Sequence, residues 1–154
     1  MAILEKLVSI LLVEDDQVDI MNIQRAFKKN NIVNPLHVAN NGVEALDMLR
    51  GEKKLNPLPK IVLLDINMPQ MNGIEFLKEI RNDEELKSLH VFIMTTSSDE
   101  NDRWEAYQLN VAGYILKPLS FEKFTSSVSI LNNYWKLCEL PEYKYGTKNY
   151  RTYY

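Results

Sequence analysis

The 154-residue chain has little of several things. Its single cysteine, Cys138, excludes an intramolecular disulfide and any zinc site built on paired cysteines. Its two histidines, His37 and His90, stand apart from the acidic motifs of the chain, and no Ser-His-Asp arrangement is evident. Five glycines are present, but none forms the G-x-x-x-x-G-K-[ST] or G-x-G-x-x-G loop that cradles a nucleotide phosphate. Basic charge is not in excess: 18 Lys and Arg face 21 Asp and Glu, for a net charge of -3. That balance advertises neither nucleic acid nor an anionic membrane as a partner. No hydrophobic run approaches the about 18 residues of a membrane span. The opening "MAILEKLVSILLVEDD" is apolar but short, carries Glu5 and Lys6, and lacks a small-residue cleavage site. It does not read as a signal peptide, and a cytoplasmic location is expected.

A hydrophobic content of 45% with 25% charged residues suits one globular domain with a substantial core. Five short apolar runs stand out: Ser9–Val13, Leu36–Ala39, Ile61–Leu64, Val91–Met94 and Gly113–Leu116. The first, third and fourth lack alternation, as expected of strands buried on both faces of a parallel sheet. Between them, apolar residues recur at helical spacing over residues 17–30, 43–50, 74–81 and 101–110, and a longer helix follows Pro118 to about Leu137. The stretch "GEKKLNPLPK" (51–60) reads as a loop. Five βα units with right-handed crossovers predict an α/β fold, a doubly wound five-stranded parallel sheet with helices on both faces. Its ligands are expected beyond the carboxyl ends of the strands.

Those ends carry an unusual set. Strand one leads to Glu14, Asp15 and Asp16, strand three to Asp65, strand four to Thr95 and Thr96, and strand five to Lys117-Pro118. Each has a plain structural explanation. Asp15 or Asp16 could cap the first helix, Asp65 could initiate a turn, and threonines are common in strands. Coincidence at four strand ends is harder to explain. Neighbouring carboxylates repel by about 1 kcal/mol per pair even in water, so stability alone would not gather them. A hard divalent cation such as Mg²⁺ relieves that repulsion. A carboxylate can attack a phosphoryl donor to form an acyl phosphate, provided the phosphoryl oxygens are neutralised. The cation, Lys117 and a threonine hydroxyl or backbone N–H would supply that.

The set "VEDD", "LLDINMPQMNG", "MTTS" and "YILKP" resembles the receiver domain of two-component response regulators over roughly residues 8–137. The resemblance implies a flavodoxin-like strand order 2-1-3-4-5. It implies Asp65 as phosphoacceptor, Asp15 and Asp16 as the acidic pair holding Mg²⁺ with Asp16 the more direct ligand, and Asn67 lending its backbone carbonyl to the metal. Lys117 matches the family lysine, with a cis bond to Pro118. Thr95, 22 residues before Lys117, matches the switch hydroxyl, and Tyr114 the aromatic that moves with it. Thr96 departs from the small residue common after the switch hydroxyl. The longer 51–60 loop and extended last helix are similar to free-standing receivers that pair with bacteriophytochrome kinases.

The resulting expectation is a phosphorylation-dependent switch on residues 1–140, followed by a Tyr-rich tail, 141–154. Its partners would be a histidine kinase and a downstream protein target. A homodimer could form through the face made by the fourth helix, fifth strand and fifth helix, and that surface would carry the output because few residues follow the last helix. Two other readings remain. One is a Mg²⁺-dependent phosphatase or phosphotransferase with an Asp nucleophile, disfavoured because the position two after Asp65 is Asn67 rather than an acid. The other is a docking module independent of phosphorylation.

Overall fold

The computed structural model describes residues 7–143. Its strands are β1 (Ile10–Val13), β2 (Leu36–Ala39), β3 (Ile61–Leu64), β4 (His90–Thr95) and β5 (Gly113–Leu116). The helices are α1 (Gln17–Lys29), α2 (Gly42–Arg50), α3 (Gly73–Arg81), α4 (Glu100–Gln108) and α5 (Phe121–Leu137). All strand pairs are parallel, in the order β2-β1-β3-β4-β5. Both the five βα units and the flavodoxin-like order expected from the sequence are therefore present.

The helices start where the sequence offers an acceptor. Asp16, Asn41, Asn72, Asp99 and Ser120 each cap a helix by accepting a backbone N–H with the side chain, which serves donors the helix itself cannot satisfy. Asn31 and Asn110 take left-handed conformations, φ 55° and 59°, just beyond α1 and α4, where asparagine is tolerated better than most residues.

Alternate residues of the central strands feed two cores. Leu11, Val13, Val62, Leu64, Val91 and Ile93 pack with α2, α3 and Ala106 of α4. Ile10, Leu12, Ile61, Leu63, Phe92 and Met94 pack with α1 and α5. Each large side chain so buried contributes roughly 1.5–3 kcal/mol. Burial on both faces explains why β1, β3 and most of β4 read as unbroken apolar runs.

Some periodic residues do not face a core. Val43, Trp104 and Tyr107 are exposed. On α4 only Ala106 is buried, so the aromatic rhythm there marks an outward surface. Phe124 and Trp135 of α5 are core residues, while Tyr134 is exposed. Beyond α5, Tyr143 is buried and its hydroxyl donates to the Pro59 carbonyl, and Lys60 pairs with Glu142 at 2.8 Å. The Lys117–Pro118 bond, expected to be cis, is not; among the described residues the cis bond is Asn56–Pro57. Trans is the lower-energy form even before proline. In it Lys117 N–H still reaches the Thr95 carbonyl at 2.8 Å, and Ser120 still caps α5.

Candidate functional site: an acidic crevice around one lysine

β1 and β3 are adjacent, yet the chain leaves β1 for β2 on the other side before returning. Crossovers leaving in opposite directions open a crevice at the carboxyl ends of these two strands. Glu14 extends β1, and Asp65 extends β3 with its N–H donating to the Val13 carbonyl at 3.0 Å. The ladder thus continues into both acids and fixes them side by side. Glu14 is 1% exposed and Asp65 7%.

Lys117 enters from the end of β5. Its Nζ donates to Glu14 Oε2 at 2.6 Å, Asp19 Oδ2 at 2.8 Å and Asp65 Oδ2 at 3.0 Å. One ammonium therefore serves three carboxylates, and its side chain is only 7% exposed. Burial drives the Glu14 carboxyl up from its ordinary 4.5 to about 7; the Lys117 bond offsets this only in part, and the nearby Asp65 charge adds to it. Burial pulls the Lys117 ammonium down, but its bonds to Asp19 and Glu14 and the charge of Asp65 outweigh that and hold it above its ordinary value.

Oxygens of Glu14, Asp15 and Asp65 lie within 4.8 Å of one another. These are hard donors, and the negative charge here exceeds what Lys117 can balance. The group fits a divalent cation that takes carboxylates together with water. Asp16, expected as the more direct ligand, is not brought into this group. Its Oδ1 instead accepts the Val18 and Asp19 N–H groups at 2.8 and 3.1 Å, capping α1. The acids that converge with Asp65 are thus Glu14 and Asp15, one residue earlier than the pair expected. The strand ladder fixes the direction of Glu14, and the following turn is needed to start the helix.

Asn67 N–H donates to Asp65 Oδ1 at 3.3 Å, so its backbone runs beside the acid. Gly73 makes that loop possible. A Cβ there would lie 2.4 Å from the Asp65 carbonyl oxygen and 2.8 Å from Ile66 Cα, so α3 approaches the loop closely only because the side chain is absent. Thr95 is fully buried at the end of β4, its Oγ1 accepting from Ser97 N–H at 3.2 Å, while Thr96 is exposed. The Tyr114 hydroxyl donates to the Ser97 carbonyl at 2.9 Å. Thr95 and Tyr114 therefore meet at one residue of the β4–α4 loop, and Ser97 Oγ ties that loop to Asp102 of α4 at 2.8 Å.

Sequence reasoning counted Glu14 among the strand-end acids but gave it no role of its own, and left out Asp19 altogether. Glu14 could have been found by counting alternation from the apolar strand. An acid in a first helical turn is ordinarily explained by the helix dipole, so Asp19 gave no separate signal.

Known proteins carry the same architecture. Rcp1, a response regulator of Synechocystis, is 34% identical over 128 residues, covering 82% of this chain and 87% of that protein. Its Mn(2+)-bound structure superposes with a TM-score of 0.80 over 88% of this chain and 99% of that one, at 31% identity. The phosphorylated cyanobacterial phytochrome response regulator RcpA gives a TM-score of 0.83 at 33% identity, covering 89% and 100% of the two chains. A probable methanogenesis regulatory protein of Methanothrix harundinacea, FilR2, is 39% identical over 127 residues, 82% of each chain. The response regulator receiver domain model matches residues 10–129, and on this evidence the chain belongs to the response regulator receiver family.

Proposed function

We propose that the chain is a phosphorylation switch in which Asp65 accepts a phosphoryl group from a histidine kinase. The observation that carries this reading is the buried Asp65 carboxylate hydrogen-bonded to Lys117 beside Glu14 and Asp15. An Asp65 oxygen forms the new bond to phosphorus, and the donor's bond to phosphorus breaks with its electron pair leaving on the donor. Lys117 orients Asp65 and offers its protons to the phosphoryl oxygens as charge shifts onto them. Glu14, Asp15, Asp65 and the Asn67 carbonyl would hold a divalent cation, Mg²⁺ in our reading. When bound, it would draw negative charge off the phosphoryl oxygens. That Rcp1 has a Mn(2+)-bound form supports a divalent ion as the cation here. Receiver domains are signalling modules rather than enzymes acting on a separate substrate, so the chain would assist only its own phosphorylation and dephosphorylation.

The signal would leave through Thr95 and Tyr114. Both contact Ser97, and Ser97 contacts α4. A phosphoryl group drawing the Thr95 hydroxyl would pull on that loop and bias α4 between two positions. The Tyr114 hydroxyl already donates to the Ser97 carbonyl, so its side chain is tied to the loop that Thr95 would pull.

The α4-β5-α5 face carries exposed Trp104, Tyr107, Leu116, Leu119 and Tyr134, the kind of aromatic-rich surface used at interfaces. We assign it to a homodimer or to the downstream target. The receiver would span 1–140 and the tail 141–154; Glu142 and Tyr143 of that tail hold to Lys60 and Pro59, and 144–154 lie outside the described residues. RcpA is a phytochrome response regulator, which favours a kinase of phytochrome type, and the switch would work in the cytoplasm. Among the described residues no helix is long and apolar enough to cross a membrane.

Incubation with acetyl phosphate and Mg²⁺ separates the alternatives. A stoichiometric adduct supports the switch, steady turnover would make the chain an enzyme, and no reaction would leave a docking module. Sedimentation with and without beryllofluoride, on the full chain and on one stopped after Tyr143, tests the dimer. Monomers under every condition would assign the aromatic face to another protein.

A further inference from the structure

All three protons of the Lys117 ammonium are engaged, by Glu14, Asp65 and Asp19. The first two acids belong to the site described above. Asp19 does not: its oxygens are not part of the converging group of Glu14, Asp15 and Asp65. An acid in the first turn of a helix needs no such contact, because the helix dipole alone favours it there. Asp19 nevertheless turns into the crevice, is 32% exposed at its side chain, and lies closer to Nζ than Asp65 does, at 2.8 against 3.0 Å.

We propose that Asp19 is a positioning residue that tethers Lys117 to α1 and limits how completely the ammonium serves a phosphoryl group on Asp65. This rests on the roles given above to Asp65 and Lys117. An ammonium has three donors and no more, whereas a transferring phosphoryl group spreads its charge over three oxygens. Each proton held by Asp19 is withheld from those oxygens. The tether is fixed by the fold, because α1 is capped by Asp16 one turn earlier and anchored in the core by Ile20 and Ile23. It is partial, because the outer side of Asp19 is open to screening water and salt.

Removing the carboxylate has two consequences. Lys117 closes on Glu14 and Asp65 and competes better with a divalent cation for their oxygens. Once the cation is saturating, the released proton is available to the phosphoryl group in the transition state. Asp19→Asn is therefore expected to raise the half-saturating Mg²⁺ concentration about threefold. It should also raise the phosphorylation rate at saturating Mg²⁺ about threefold. Asp19→Glu keeps the charge and should return both towards wild type.

The experiment uses the full chain and three readouts. Side-chain ammonium NMR of the metal-free protein reports the tether directly: a slowly exchanging Lys117 signal in wild type and Asp19→Glu, weakened in Asp19→Asn. Mg²⁺ binding is followed by backbone amide shifts, and phosphorylation by intact mass with acetyl phosphate. The inference stands if the signal weakens and both other quantities move as stated. It is overturned if Asp19→Asn changes only the melting temperature, as an ordinary first-turn acid would, or if the saturating rate falls. Failure of the wild type to phosphorylate would instead overturn the proposed function. In that case the tether is judged by the first two readouts, an unchanged ammonium signal or Mg²⁺ affinity in Asp19→Asn counting against it.

Discussion

Replacing Glu14 by Gln tests the electrostatics of the crevice before any phosphate arrives. Glu14 is buried at 1% exposure, and burial moves its carboxyl from 4.5 to about 7. Between these values the folded protein holds a proton that the unfolded chain has lost. Stability of the metal-free protein must then fall as pH rises from about 4.5 to about 7. At about 1.4 kcal/mol for each tenfold change in proton affinity, that loss is about 3 kcal/mol. Lys117, held above its ordinary value, keeps its proton throughout this window and adds no slope. His90, pushed below 6.5 by burial and then by the Arg81 charge, contributes the opposite slope, but equally in wild type and variant. Urea unfolding of both proteins in EDTA at pH 5 and pH 8 isolates the Glu14 contribution. Relative to wild type, Glu14→Gln should gain about 3 kcal/mol over that interval. Saturating Mg²⁺ should remove most of the wild-type slope, because a cation favours the ionised carboxylate. Parallel pH profiles for the two proteins would refute the reasoning.

Three further outcomes follow from the packing. Asp16→Ala should cost about 1 kcal/mol of stability as a lost helix cap and change Mg²⁺ affinity little, whereas Asp15→Ala should weaken Mg²⁺ binding at least tenfold; thermal unfolding and Mg²⁺ binding curves measure both. Gly73→Ala must displace the Asp65 loop, since its Cβ would meet backbone atoms at 2.4 and 2.8 Å. It should cost about 1–3 kcal/mol and slow phosphorylation. Arg81 donates to the Lys87, Leu89, Leu109 and Asn110 carbonyls, so Arg81→Met should lose about 2–4 kcal/mol in urea unfolding, with Lys failing to rescue because it lacks the planar fork.

The sheet was legible because both of its faces are buried: β1, β3 and β4 had to be continuous apolar runs; β3 has the expected limits, β1 differs by one residue at its start and β4 by one residue at each end. Helix positions were legible through apolar spacing, while the capping side chains that fix their starts were read only at α1. The site was legible in type and order, since the acids, the threonine and the lysine fall at strand ends. It was misread where one residue of register decides direction. The run Glu14-Asp15-Asp16 offers three acids, and only the strand ladder with the α1 cap decides which two face Asp65. Asp19 stayed hidden because its partner, Lys117, lies 98 residues away. Trp104 and Tyr107 matched helical periodicity yet are exposed; spacing reports that residues share a face, not which face is inside.

The most direct measurement locates the phosphoryl group. The full chain is incubated with acetyl phosphate and Mg²⁺, reduced with borohydride to convert any aspartyl phosphate to homoserine, and mapped by peptide mass spectrometry. One phosphoryl group per chain is expected, about 80 Da as for any phosphorylation, with homoserine at position 65 alone and no adduct in Asp65→Asn. A homoserine elsewhere, or an undiminished adduct in Asp65→Asn, would contradict the assignment to Asp65.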